Sequence, residues 1–167
     1  MHNPILSRFA DEMHSESGAT RKLLQVVPLE KHDWKPHEKS FSLGRLATHI
    51  AEISGWVKQS LLEDELNFSA ADFKPRIITT AGELLDLFEK NLNDSQQILR
   101  TTDDKRLDEN WTMRNGEQIF FTQKKYDVLR TWCFNHQYHH RAQLGIYLRL
   151  LNVQVPGTYG PSADTRF

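Results

Sequence analysis

Four apolar stretches with the period of an α-helix recur along the chain, separated by long polar connections. Apolar side chains spaced three and four apart make one sticky face per helix, and each such face must be covered by another element. An all-α fold of about four packed rods is therefore expected. At about 150 residues per domain, residues 1–167 read as a single unit. The first stretch runs from Pro4 to Val27, with Asn3 placed to cap it and Pro4 suited to a first helical position. Ile5, Phe9, Met13, Thr20, Leu24 and Val27 make its inward stripe, and Pro28 ends it. The second, Ser42 to Leu62, turns Leu43, Leu46, Ile50, Ile53 and Val57 inward. The third opens on a capping box, Thr80-Ala81-Gly82-Glu83, ahead of Leu84, Leu85, Phe88, Leu92 and Leu99. The fourth, Thr122 to Leu151, carries Leu129, Trp132, Cys133, His136, His140, Leu144, Tyr147 and Leu151 on one side. Asn152 suits a left-handed end to it.

Between the third and fourth rods, Asn115-Gly116 sits among Trp111, Met113, Ile119 and Phe121. That is a strong hairpin signal, so a small two-stranded flap is expected over Asn110 to Phe121. The connections 28–41 and 63–78 are long enough for crossovers between parallel rods.

Composition excludes several functions. Lys and Arg number 21 against 22 Asp and Glu, a net charge of −1. A dedicated nucleic-acid binder needs a basic excess to neutralise phosphates, so no nucleic-acid partner is expected. No apolar run approaches the roughly 18 residues of a membrane span. Met1 to Met13 lack the pattern of a secretion signal, and a single Cys allows no internal disulfide. A reducing cytoplasm is the expected compartment.

Eight histidines are the chain's unusual feature. His136 and His140 are one helical turn apart and share a face. Two imidazoles at that spacing can converge on one metal ion. His49, midway along the second stretch beside Leu46 and Ile53, is the candidate third ligand, because a buried imidazole needs a partner. The alternative is that each is a satisfied boundary residue of its helix.

Ser42 to Trp56, with His49 at its centre, resembles the second-helix signature of the DinB family. His136-Gln137-Tyr138-His139-His140-Arg141-Ala142-Gln143-Leu144, then Leu148-Arg149-Leu150 and Val155 to Pro161, resemble its fourth-helix motif and tail. The resemblance implies a four-helix bundle, usually up-down-down-up, holding a divalent metal ion (Zn, Ni, Mn or Fe) on His49, His136 and His140. It also implies a homodimer paired through helix faces. The family's name refers to induction by DNA damage, which concerns regulation and implies no contact with DNA. Relatives in the wider superfamily with assigned chemistry are mostly transferases and isomerases that use low-molecular-weight thiols. Some carry Glu at the position of His136. A metal-dependent enzyme is expected, either a thiol-dependent transferase or a hydrolase acting on a small molecule. A stress-associated protein that binds metal or ligand without catalysis is the alternative.

Other residues compete for roles. His139 lies about 100° around the helix from His140 and should point away, to a surface or dimer interface. Cys133 is one turn before His136 and reads as a small core hydrophobe. Glu52 either supports His49 or is a solvated helix residue. Asp11, Glu12 and His14 read as a solvated face, and Lys124-Lys125 as surface. Gln143 and Tyr147 can line the site, and ordinary core packing accounts for Tyr147 equally well. Arg141 either binds a substrate carboxylate or pairs with a surface acid. Trp34, Trp111 and the Val155–Pro161 tail either cover the open end of the bundle or pack onto its core.

Overall fold

A computed structural model describes residues 4–70 and 75–166. The chain is mostly helical, with a small three-stranded sheet. The helices are α1 (Ile5–Gln25), α2 (Leu43–Ile53), α3 (Trp56–Leu62), α4 (Ala81–Thr101), α5 (Lys125–Val128) and α6 (His136–Leu150). Short 3-10 turns cover Leu29–Lys31 and Asp104–Asp108, and the strands are β1 (Glu65–Asn67), β2 (Asn110–Asn115) and β3 (Gln118–Lys124). Among the described residues no helix is long and apolar enough to cross a membrane.

α1 packs along α4, and α2 packs against both α4 and α6. Leu6, Phe9, Ala10, Leu23 and Leu24 face inward from α1, but Ile5 is 41% exposed rather than buried. Leu6 stands three residues before Phe9 and four before Ala10, so it takes the inward slot and leaves Ile5 on the shoulder. Asn3 lies outside the described residues. The Asp104 carboxylate accepts from the Ile5 and Leu6 N–H groups at 2.6 and 3.0 Å, meeting the free donors and positive end of α1.

The second stretch does not form one rod. It breaks at Ser54-Gly55, between α2 and α3. The carbonyls released there are taken by α4: Asn91 donates to Ala51 at 2.9 Å and the Ser95 hydroxyl to Ser54 at 2.6 Å. A Cβ on Gly55 would come within 2.8 Å of the Asn91 side chain, so this close approach requires glycine. The third stretch caps largely as expected. Thr80 accepts from the Glu83 N–H at 3.4 Å, while the Glu83 carboxylate takes the Thr80 hydroxyl at 2.9 Å.

The expected flap forms as β2 and β3, but it is not a simple hairpin. β1 adds to β2 in parallel, with Leu66 opposite Met113. Asn115 pairs with Gln118, so Gly116 and Glu117 make the turn, with Gly116 at φ 58°. The fourth stretch starts at Lys125 rather than Thr122, which lies in β3. Lys125 itself is fully buried, against the surface reading. Its ammonium sits 2.7 Å from Asp64, 3.2 Å from Glu109 and 3.2 Å from the Leu61 carbonyl, tying the strand-to-helix corner to the end of α3. Leu129–Asn135 follows as a π-helical turn, leading directly into α6. Asn152 ends the rod in the left-handed region at φ 58°.

Candidate metal centre

The Ser42 hydroxyl caps α2 by accepting from the Arg45 N–H at 3.3 Å. Leu43, Leu46, Ile50 and Ile53 bury one side of this helix, and His49 is carried inward with them, only 8% exposed. From the other rod come His136, half-buried, and His140, 9% exposed. The ring centroids are 5.1 Å apart for His49–His136, 4.8 Å for His49–His140 and 4.5 Å for His136–His140. One ring nitrogen from each histidine lies within 4.8 Å of the other two.

The Nε2 atoms of His136 and His140 face each other. His140 Nδ1 donates to Gln143 Oε1 at 2.7 Å, which leaves its Nε2 as a lone pair. His136 Nδ1 is buried without a hydrogen bond of good geometry. The two Nε2 atoms are 2.7 Å apart. At that distance the two nitrogens share either a proton or a cation, and together with His49 they offer three imidazole donors, a set that suits a divalent ion. Burial, then the neighbouring His140 and His49, pushes His136 down to about 4. Burial, opposed by the Gln143 bond, brings His140 to about 4. Both rings are therefore neutral at pH 7, the form that ligates a metal.

His49 Nδ1 faces the Arg45 guanidinium at 3.3 Å and the Glu52 carboxylate at 3.6 Å. Arg45 and Glu52 are themselves paired at 2.8 Å. Burial raises the Glu52 carboxyl, but His49 and Arg45 outweigh it and hold it below the usual range. Glu52 is thus a support for His49 rather than a solvated residue, the arrangement that orients metal-binding imidazoles.

Several other candidates lie elsewhere. His139 is exposed and outside the cluster, although its ring touches His140 at 4.9 Å. Cys133 is buried 3.3 Å from the Ser60 hydroxyl, and burial pushes its thiol up to about 12. Arg141 turns toward α1, where it pairs with Glu16 at 2.6 Å and the Thr20 hydroxyl at 3.3 Å. Glu12 is held by Arg130 at 2.8 Å and by the Tyr138 hydroxyl at 2.7 Å, and Asp11 pairs with Arg100 at 3.0 Å. Tyr147 lies in the core, with Trp34 packed on it at 5.6 Å.

The residue spacing of the histidines also points to their partners. Arg45 precedes His49 by one turn, and Trp132 precedes His136 by one turn. Trp132 stands 5.9 Å from His136, and Trp56 stands 5.4 Å from His49 and 5.1 Å from His136. Phe41 stands 5.9 Å from His49. π-helical turns recur at functional sites, and this one brings Trp132 to the cluster. Beside the cluster opens a cavity of about 740 Å³. His49, Arg45, Trp56 and Trp132 line it, together with Trp111, whose indole donates to the Gln59 carbonyl at 3.0 Å.

The model of the DinB family matches residues 1–165. The chain belongs to the DinB family. An uncharacterized protein, YrdA of Bacillus subtilis (strain 168), is 28% identical over 162 residues, spanning 95% of this chain and 90% of YrdA. The crystal structure of a DinB-like protein from Bacillus cereus ATCC 10987 superimposes with a TM-score of 0.70 at 25% identity, covering 95% of this chain and all of that one. A DinB-like protein of B. subtilis, YjoA, shares the fold with a TM-score of 0.66 at 18% identity, covering 96% and 99% of the two chains. In this DinB chain the resemblance blocks and the histidine cluster coincide: His49 lies in the first, His136 and His140 in the second.

Proposed function

We propose that His49, His136 and His140 hold one divalent metal ion (Zn, Ni, Mn or Fe), and that the chain is a metal-dependent enzyme acting on a small molecule. The observation that carries this reading is the convergence of one ring nitrogen from each of His49, His136 and His140, with the His136 and His140 Nε2 atoms 2.7 Å apart. Three protein ligands leave a coordination position open, as catalytic sites do and closed structural sites do not. A bound ion of this kind supplies Lewis acidity to a thiol, water molecule or carbonyl that reaches it. The chain's own residues would do the rest. Glu52 and Gln143 hold the outer nitrogens of His49 and His140, Trp56 and Trp132 exclude water, and the cavity admits the substrate. The reaction class is transfer from a low-molecular-weight thiol, or hydrolysis.

The same reading takes the helices as the family's four-rod bundle in up-down-down-up order, working as a homodimer in the cytoplasm. Ile146 and Leu150, exposed one turn apart on α6, support a helix-face pairing that light scattering would detect. The alternative, binding without catalysis, draws support from the cavity wall, which carries no Asp or Glu among its described residues to act as a general base.

Protein purified without a His tag should carry about one metal ion per chain by elemental analysis, and His49→Ala and His140→Ala should each lose most of it. Protein that stays metal-free after incubation with each of the four metals would refute the site. A screen of electrophiles with glutathione, bacillithiol and mycothiol, run beside a hydrolase panel, separates catalysis from binding. Turnover supports the enzyme, and flat results at full metal occupancy support the alternative.

A further inference from the structure

We infer that the cavity beside the histidines binds a flat apolar molecule with an anionic end, its charge held by Lys35 and Arg45. The inference rests on the reading of this cavity as the substrate pocket, and it stands apart from whether the metal is bound. The volume, about 740 Å³, is that of a site for a drug-sized ligand. Its walls are dominated by large apolar side chains, with Trp56, Trp111, Trp132, Met113 and Ile77 among them. Flat rings stacked on indoles would use that surface best, since aromatic pairs gain beyond simple burial.

The charge in the wall has one sign. Lys35 and Arg45 line the cavity, and no carboxylate does among the described residues. Arg45 is largely enclosed and shares its charge with Glu52. Lys35 is exposed and makes no ion pair among the described residues. The hydrogen-bonding capacity of the remaining polar wall is partly spent within the protein. Gln59 donates to the Glu65 carbonyl at 2.7 Å and Ser60 is bonded to Cys133. A ligand therefore meets an apolar slot whose unpaired polar group is a cation. Because Arg45 touches His49 at 3.3 Å, an anion on Arg45 would sit beside the histidine cluster. A neutral apolar molecule would leave Lys35 unused, and a cationic one would be repelled.

Two fluorescent probes test this on the metal-stripped protein: anilinonaphthalene sulfonate, aromatic and anionic, and N-phenylnaphthylamine, its neutral counterpart. Three of the chain's four tryptophans line the cavity, so a bound probe should quench their emission by energy transfer. The sulfonate should bind with at least tenfold higher affinity than the amine. Lys35→Glu should weaken the sulfonate at least fivefold while leaving the amine within twofold. Met113→Trp, which fills the slot, should weaken both, and an unchanged far-ultraviolet spectrum and melting temperature would show that each variant folds. Equal affinity for the two probes, or full sulfonate binding by Lys35→Glu, overturns the anionic assignment. Undiminished binding by folded Met113→Trp overturns the cavity as the location. Metal analysis of the same preparations reads the histidine site separately, so a failed metal site and a failed ligand class give different results.

Discussion

His136 and His140 take up a proton in the fold only near pH 4, whereas an imidazole in the unfolded chain does so near about 6.5. Between those values the unfolded state holds more protons, so stability rises with pH across that window. Metal-stripped protein should hold its urea midpoint above pH 6.5 and lose stability steadily as the pH falls toward 4. Glu12, held low by Arg130 and Tyr138 against its burial, and Glu52 add a further loss at more acidic pH, where their carboxylates protonate. A midpoint that does not change from pH 7 to 4.5 would contradict the neutral, buried state of the histidines. Lys125 illustrates a different balance. Its partner Asp64 is exposed and Glu109 partly so, so both carboxylates can return to water, and Arg106 also donates to the Leu61 carbonyl at 3.0 Å. Lys125→Met should therefore change stability by no more than about 1 kcal/mol. Lys125→Ala should cost about 2–5 kcal/mol by opening a cavity, and chemical denaturation of the pair distinguishes the two.

The break between α2 and α3 depends on α4. Ser95 is fully buried, and its hydroxyl meets the Ser54 carbonyl. Ser95→Ala would leave that carbonyl without its partner and should cost about 1–3 kcal/mol in thermal or urea unfolding. Gly55→Ala should cost a similar amount, about 1–3 kcal/mol, because its methyl meets Asn91 and pushes α4 away. His49 lies in the turns just before this break, so both variants should also lower metal occupancy. A Gly55→Ala protein as stable as wild type would mean that α4 can withdraw freely. The same elements show what periodicity could and could not reveal. Every apolar position expected inward on the second stretch, from Leu43 to Val57, is buried. The break itself was hidden, because its cause is on another helix: Asn91 and Ser95 offer the carbonyls an alternative that no local spacing records. β1 was hidden for the same reason, since Glu65-Leu66-Asn67 is a strand only because β2 lies beside it.

Arg141 connects three parts of the molecule. It is buried on α6, pairs with Glu16 on α1, and donates to the hydroxyl of Tyr159 in the C-terminal tail at 2.5 Å. Arg141→Met should lower stability by about 1–3 kcal/mol, because Glu16 is only partly exposed and loses its cation. Limited proteolysis should then cut the tail faster than in wild type, and unchanged cleavage would show that Tyr159 does not secure it. By itself the sequence determined the helical character, the inward stripes, the family and the three histidines worth watching, because these depend on spacing within one segment or on a pattern of residue types. Only the tertiary structure decided that the rings of His49, His136 and His140 meet, that Glu52 and Arg45 support the first of them, that Lys125 is interior, and that Arg141 serves α1 rather than the site. Each of those outcomes depends on which side chain from a distant segment arrives to fill a space or satisfy a charge, and that is settled by packing.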